Sequence, residues 1–202
     1  RDSEGYVEEF YNYYINNKKE ITEFLAEAKE KMSQMVSSGT FVKKSNTPHQ
    51  TVDKDTALRL YGFNKWANEN KMDVVLHVHF NDYARKYKSK IGERKGFAIY
   101  IPDSQFVNTS NSQNLARDIF TYLYKKYPTS NYSKELGGLV FDQKLIAIGA
   151  NGTLDKDVST VLIEYGYIYS FGNKKKRNEA YKIMAELTVE GVRNFLFKNE
   201  LE

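Results

Sequence analysis

The chain has three histidines and no cysteine, so any metal site or acid–base centre in it must be built from His, Asp and Glu. Two of the histidines stand two residues apart in Val74-Val75-Leu76-His77-Val78-His79, with Asn81 and Asp82 just beyond. A strand alternates its side chains with a period of two, so His77 and His79 fall on one face and can share a site. Neutral imidazole is a common zinc ligand, and His-x-His supplies half of such a site. Two histidines hydrogen-bonded in a polar crevice fit the same pattern. The other candidate is Glu164, in Thr160-Val161-Leu162-Ile163-Glu164-Tyr165-Gly166-Tyr167. A carboxylate at the end of an apolar strand is costly to bury unless it is paired or its raised pKa is used, and the second case describes a general base. A strand-end glutamate that reaches solvent or pairs with a lysine fits as well. His49 lies in a polar connection and reads as an exposed loop residue.

The elements that must position these groups follow from hydrophobic periodicity. Over residues 7–36 apolar side chains recur at helical spacing (Phe10, Tyr14, Ile21, Leu25, Ala28, Met32, Met35), giving one long helix or two consecutive ones. Residues 37–53 lack periodicity and read as an exposed connection. Asp53 or Asp55 can cap a helix that runs to about Asn70. Residues 73–80 read as a buried strand, and residues 96–101 as a second strand stopped by Pro102. A helix over 112–127 follows, then a Gly137-Gly138 loop, a short strand at 145–148 and an apolar strand at 160–165. The last helix spans about 178–197, with Tyr181, Met184, Ala185, Val192 and Phe195 as its inner stripe. Strands alternating with helices predict an α/β fold, a mixed sheet flanked by helices in a single layered domain. In such sheets sites gather at the carboxyl ends of strands, where Asn81 lies.

The bulk properties narrow the partners. With 202 residues, 41% of them hydrophobic, the chain can bury a core of one ordinary domain. A net charge of +4 is spread over many charges of both signs, which argues against a nucleic-acid partner. The run Lys174-Lys175-Lys176-Arg177 reads as a solvated approach to the last helix rather than a polymer-binding patch. No apolar stretch is long enough to cross a bilayer.

Three separated segments, in order, resemble the zinc-dependent N-acetylmuramoyl-L-alanine amidases of type 3. The first is Ala67-Asn68, Asp73 and His79-Phe80-Asn81, similar to the family's helix-ending Ala-Asn, strand-opening Asp and zinc-binding His-x-Asn. The second is Gly96-Phe97-Ala98-Ile99-Tyr100 with Ser112, Leu115, Ala116 and Ile119. The third, Val161-Leu162-Ile163-Glu164-Tyr165-Gly166-Tyr167-Ile168, resembles the Val-Leu-Val-Glu-x-Gly-Phe-Leu motif that carries the catalytic glutamate. The resemblance implies that His79 is a ligand of Zn2+, that Glu164 is the catalytic base, and that His77, where the family usually has serine, and Asn81 support the ligand or face substrate. Phe63 stands where an arginine often precedes Ala-Asn, a second departure.

The resemblance covers residues 53–202, and Arg1-Asp2 matches the end of the family's second strand. The family's other two ligands, a histidine after the first strand and a glutamate on the first helix, have no match. The chain therefore reads as a catalytic domain, residues 1–202, lacking its first strand and helix and inactive by itself. Residues 3–53 are longer than the family's connection and read as a helical insertion. The implied activity is hydrolysis of the amide between N-acetylmuramic acid and L-alanine in peptidoglycan, outside the cytoplasmic membrane of a bacterium or in phage lysis. The rivals are an inactive amidase-like wall-binding or regulatory protein, and a different metallohydrolase using His77 and His79 together.

Overall fold

A computed structural model describes residues 5–44, 53–85, 91–143 and 151–198. The chain forms two compact units, each assembled from three stretches of sequence. The first comprises Arg1–Val75, Pro102–Thr109 and Asp142–Ser159; the second comprises Leu76–Ile101, Ser110–Phe141 and Thr160–Glu202.

The first unit is mainly helical. The amphipathic N-terminal segment forms two helices, α1 (Glu8–Asn16) and α2 (Lys18–Ser37), separated at Asn17, whose side-chain amide and backbone N–H both donate to Tyr13 O. Phe10, Tyr14 and Ile21 are buried against Leu58, Phe63 and Trp66 of α3 (Lys54–Glu69). Asp53 caps α3 as expected, its carboxylate accepting from the N–H groups of Asp55 and Thr56. The connection after α2 is exposed as expected at each described residue from 37 to 44 except Phe41. Phe41 is 1% exposed and packs on Phe106, and Lys44 Nζ lies 2.5 Å from the buried Asp103 carboxylate. A lone aromatic among polar residues carries no period, so its anchoring role was invisible to pattern reading.

The strands form one four-stranded sheet in the order β1-β4-β2-β3: β1 (Val74–Asn81), β2 (Ala98–Pro102), β3 (Leu139–Asp142) and β4 (Ser159–Tyr167). The β2–β4 pair is antiparallel, with Ala98 opposite Glu164 and Tyr100 opposite Leu162. β3 runs parallel to β2, since Ile99 N donates to Gly138 O at one end and Asp103 N to Asp142 O at the other. β1 and β4 also run together: Ser159 N donates to Asp73 O at their start, and the rings of Phe80 and Tyr165 meet near their end. The sheet is therefore mixed, the α/β architecture expected.

All nine residues of β4 are buried, and it lies between β1 and β2 in the sheet. β1 was expected to be a buried strand; it is an edge strand, with Val78 and His79 exposed. A short apolar run does not reveal how many neighbours a strand has. β2 takes in Pro102 at its end, β3 lies before the strand expected at 145–148, and that expectation falls outside the described residues, as does His49.

Within the second unit, α4 (Thr109–Leu123) buries Leu115, Ala116, Ile119 and Leu123, and Phe120 packs on Phe97. The last helix, α5 (Lys174–Phe197), begins four residues earlier than the expected start at 178, capped by the Asn173 side chain, which accepts from Lys176 N. Lys174, Lys175 and Lys176 are exposed in its first turn. Its buried residues are Met184, Thr188 and Gly191, while Ala185 faces solvent. Tyr181, Val192 and Phe195 are half-buried as the stripe predicted; Thr188 and Gly191 were missed because a threonine and a glycine carry no apolar signal.

Candidate active site

Side-chain alternation decides which residues meet. Phe80 near the end of β1 packs on Tyr165 of β4, 5.6 Å between centroids, and on Tyr181 of α5 at 4.1 Å. Tyr165 also hydrogen-bonds Thr188 of α5 through its hydroxyl at 2.7 Å. Phe80 and Tyr165 thus point to the α5 side, and their neighbours His79 and Glu164 point to the opposite face of the sheet, together with His77. Phe80 and Tyr165 are therefore core packing under α5.

Glu164 is 9% exposed, and its Oε2 is buried with no hydrogen-bond partner among the described residues. Burial, and then the negative charge of Glu135, raise its carboxyl from 4.5 to about 7. Glu135 is itself 2% exposed and accepts a 2.6 Å hydrogen bond from Tyr100 Oη. Tyr100 lies two residues from Ala98, the partner of Glu164, so its side chain is on the Glu164 face. No ion pair to Glu164 forms among the described residues, so neither the lysine-paired nor the solvent-facing reading describes it. Glu135 and Tyr100 escaped sequence reasoning. Glu135 sits in a polar turn before Gly137-Gly138 that reads as an exposed loop, and no local signal marks its burial.

His79 is exposed as a residue, yet enough protein surrounds its ring for desolvation to lower its pKa, which favours the neutral imidazole that metals bind. His77 is half-buried on the same side of β1, and Asn81, also half-buried, closes the strand. Among the described residues no three His, Asp or Glu side chains gather around a common point. These side chains therefore do not by themselves fit the three-ligand set that a catalytic zinc requires.

Tyr167, near the end of β4, feels the Glu135 charge and hydrogen-bonds Arg94 and Ser130. Burial is the main cause that keeps its phenol protonated. The site is therefore a buried acid, a second acid beside it, two phenols and a cation, with two imidazoles on the same face of the edge strand. Such a set can accept a proton, hold it and return it. A separate groove of about 400 Å³ in the first unit, between Phe24, Ala28 and Met32 of α2, Tyr61 of α3, and Phe106, is lined by none of these groups.

A sequence model described as N-acetylmuramoyl-L-alanine amidase (Amidase_3) matches residues 8–194. No curated protein matches the chain. Among solved structures, it is similar to the N-acetylmuramyl-L-alanine amidase Ami1 from Mycobacterium smegmatis, with 16% identity and a TM-score of 0.51 over 67% of this chain. It is also similar to the apo form of Ami1 from Mycobacterium abscessus, with 15% identity and a TM-score of 0.53 over 87% of this chain. The chain spans 59% of the first of these structures and 76% of the second. At such identities the likeness concerns the fold.

Proposed function

This chain belongs to the N-acetylmuramoyl-L-alanine amidase family, and from that premise we propose that it hydrolyses the amide between the lactyl group of N-acetylmuramic acid and L-alanine in peptidoglycan, with Glu164 as general base. The observation that carries this reading is the burial of Glu164 beside a second acid, which sets its proton affinity near neutrality. Efficient general acid–base catalysis needs that match to the working pH. Glu164 takes a proton from water as the water oxygen attacks the amide carbonyl. It then returns the proton to the alanine nitrogen as the carbon–nitrogen bond breaks.

Zinc dependence belongs to the same proposal. His79 would be one ligand, with its ring held neutral, and Asn81 and His77 would support it or meet substrate. When bound, the ion would supply Lewis-acid polarisation of the carbonyl. The described residues leave the ligand set incomplete, so the steps above are those of the chain's own side chains. The same reading makes residues 3–53, which contain α1 and α2, a helical insertion within one amidase-like domain. It also places the protein's work outside the cytoplasmic membrane or in phage lysis; no described helix is long and apolar enough to cross a membrane.

The test is mass spectrometry of purified peptidoglycan digested by the protein with its native flanking sequence, beside Glu164→Gln. Stem peptides with a free L-alanine amine, released by the wild type alone, are expected. Equal release by the variant would remove Glu164 from its role. No release by a zinc-loaded wild type would favour the wall-binding alternative.

A further inference from the structure

The link between β1 and β2 is strongly basic: residues 83–95 hold Arg85, Lys86, Lys88, Lys90, Arg94 and Lys95 against one acid, Glu93. Such a run is ordinarily a set of solvated charges. Arg94 is placed differently. Its guanidinium carbon lies 3.3 Å from the ring centroid of Tyr83 and 3.7 Å from that of Tyr132, and the group hydrogen-bonds the Tyr167 and Tyr132 phenols. The backbone around it is tied down on both sides. The Asn131 side chain donates to Glu93 O at 3.0 Å and accepts from Lys95 N at 2.9 Å, and Asn131 N donates to Lys95 O at 3.1 Å.

With two aromatic rings over it and hydrogen bonds to the Tyr167 and Tyr132 hydroxyls, the guanidinium keeps only its remaining edge donors for a ligand, and edge N–H donors are what match a carboxylate. The rings also strip water from the faces, which strengthens a charged contact made at the edge. The nearby Arg85, stacked on Tyr169 at 4.7 Å, has Asp82 as counter-charge at 3.7 Å. For Arg94 the groups that act on it among the described residues are tyrosines, and no carboxylate pairs with it. Tyr167 connects it to the reaction centre, since Glu135 acts on both Tyr167 and Glu164.

We propose that Arg94 is a carboxylate-binding subsite for the peptide part of the substrate: a stacked, oriented fork, one side chain removed from the Glu135–Glu164 pair, whose counter-charge arrives with the substrate. The proposal rests on the amidase reading and adds to it where the departing peptide is held. A purely structural cation–π pin would be indifferent to charge on the ligand.

The experiment is calorimetric titration of the protein, with native flanking sequence and Glu164→Gln to block turnover, with two muramoyl dipeptides. One carries a free carboxylate on its second residue, and the other is the same compound with that carboxylate amidated. The acid should bind at least about tenfold more tightly than the amide, the scale of one charge-assisted hydrogen-bond pair. Adding Arg94→Gln should equalise the two without weakening the amide, and Arg94→Lys should recover only part of the difference. Equal binding of acid and amide to the parent protein, or discrimination that survives Arg94→Gln, overturns the subsite and leaves the amidase reading standing. Failure of both ligands to bind the parent overturns both. Equal binding of acid and amide to the parent overturns the subsite even if Arg94→Gln does not fold, and Arg94→Lys then serves as the variant whose discrimination must fall.

Discussion

Glu164 makes the sharpest physical demand of any residue in this chain, because a carboxyl held at about 7 has a measurable effect on stability. Between pH 4.5 and 7 the folded state keeps a proton that the unfolded chain has lost, so it binds more protons and stability falls as pH rises through that window. Above pH 7 the penalty is complete, on the order of 3 kcal/mol for a shift of this size; below 4.5 it vanishes. In metal-free protein, the stability of Glu164→Gln relative to wild type should therefore grow by about 3 kcal/mol between pH 4 and pH 8, read by urea unfolding at both. A difference that does not change with pH would mean that the carboxyl is not held in the environment described. The second contributor to the shift is the Glu135 charge, so Glu135→Gln should lower the Glu164 pKa in a carbon-13 NMR titration. An unchanged value would leave burial as the sole cause.

At the scale of elements, the contact that aligns the second unit's helices depends on an absent side chain. Gly191 lies in the middle of α5, where glycine costs helix stability, and a Cβ there would sit 2.5 Å from Ile119 Cα and 2.8 Å from Ile119 N on α4. Backbone cannot move aside as a side-chain tip can, so α5 must shift. Asn194, which donates to Asp118 at 2.9 Å across the same helix pair, would shift with it. Gly191→Ala should destabilise the protein by roughly 1–3 kcal/mol despite its better helix propensity. A gain in thermal unfolding temperature would show that the helices are not in close contact. The same helix pair explains why periodicity found only part of the inner stripe of α5: Met184 is buried as expected, but Gly191 and Thr188 are buried with it, and neither scores as apolar.

At the scale of the whole molecule, each compact unit draws on three distant stretches of sequence. The helices α1 to α3 are contiguous, yet Asn64 and Asn68 donate to Thr153 and Phe41 packs on Phe106, all from later stretches. Residues 5–75 expressed alone should therefore lack cooperative thermal unfolding followed by circular dichroism. A sharp transition in that fragment would mean that the helical hairpin and α3 are self-sufficient. Sequence by itself determined the α/β class, the helical N-terminal segment, a cap at Asp53 or Asp55 and the strands that carry His79 and Glu164, because period, caps and ordered motifs are local properties of the chain. Tertiary structure alone decided that β1 is an edge strand, that Phe80 and Tyr165 are core beneath α5, that Glu135 and Tyr100 stand near Glu164, and that Arg94 meets Tyr167. Strand order, the register of β2 on β4 and the burial of a polar turn arise from contacts between residues far apart in sequence, and such contacts leave no periodic trace along it.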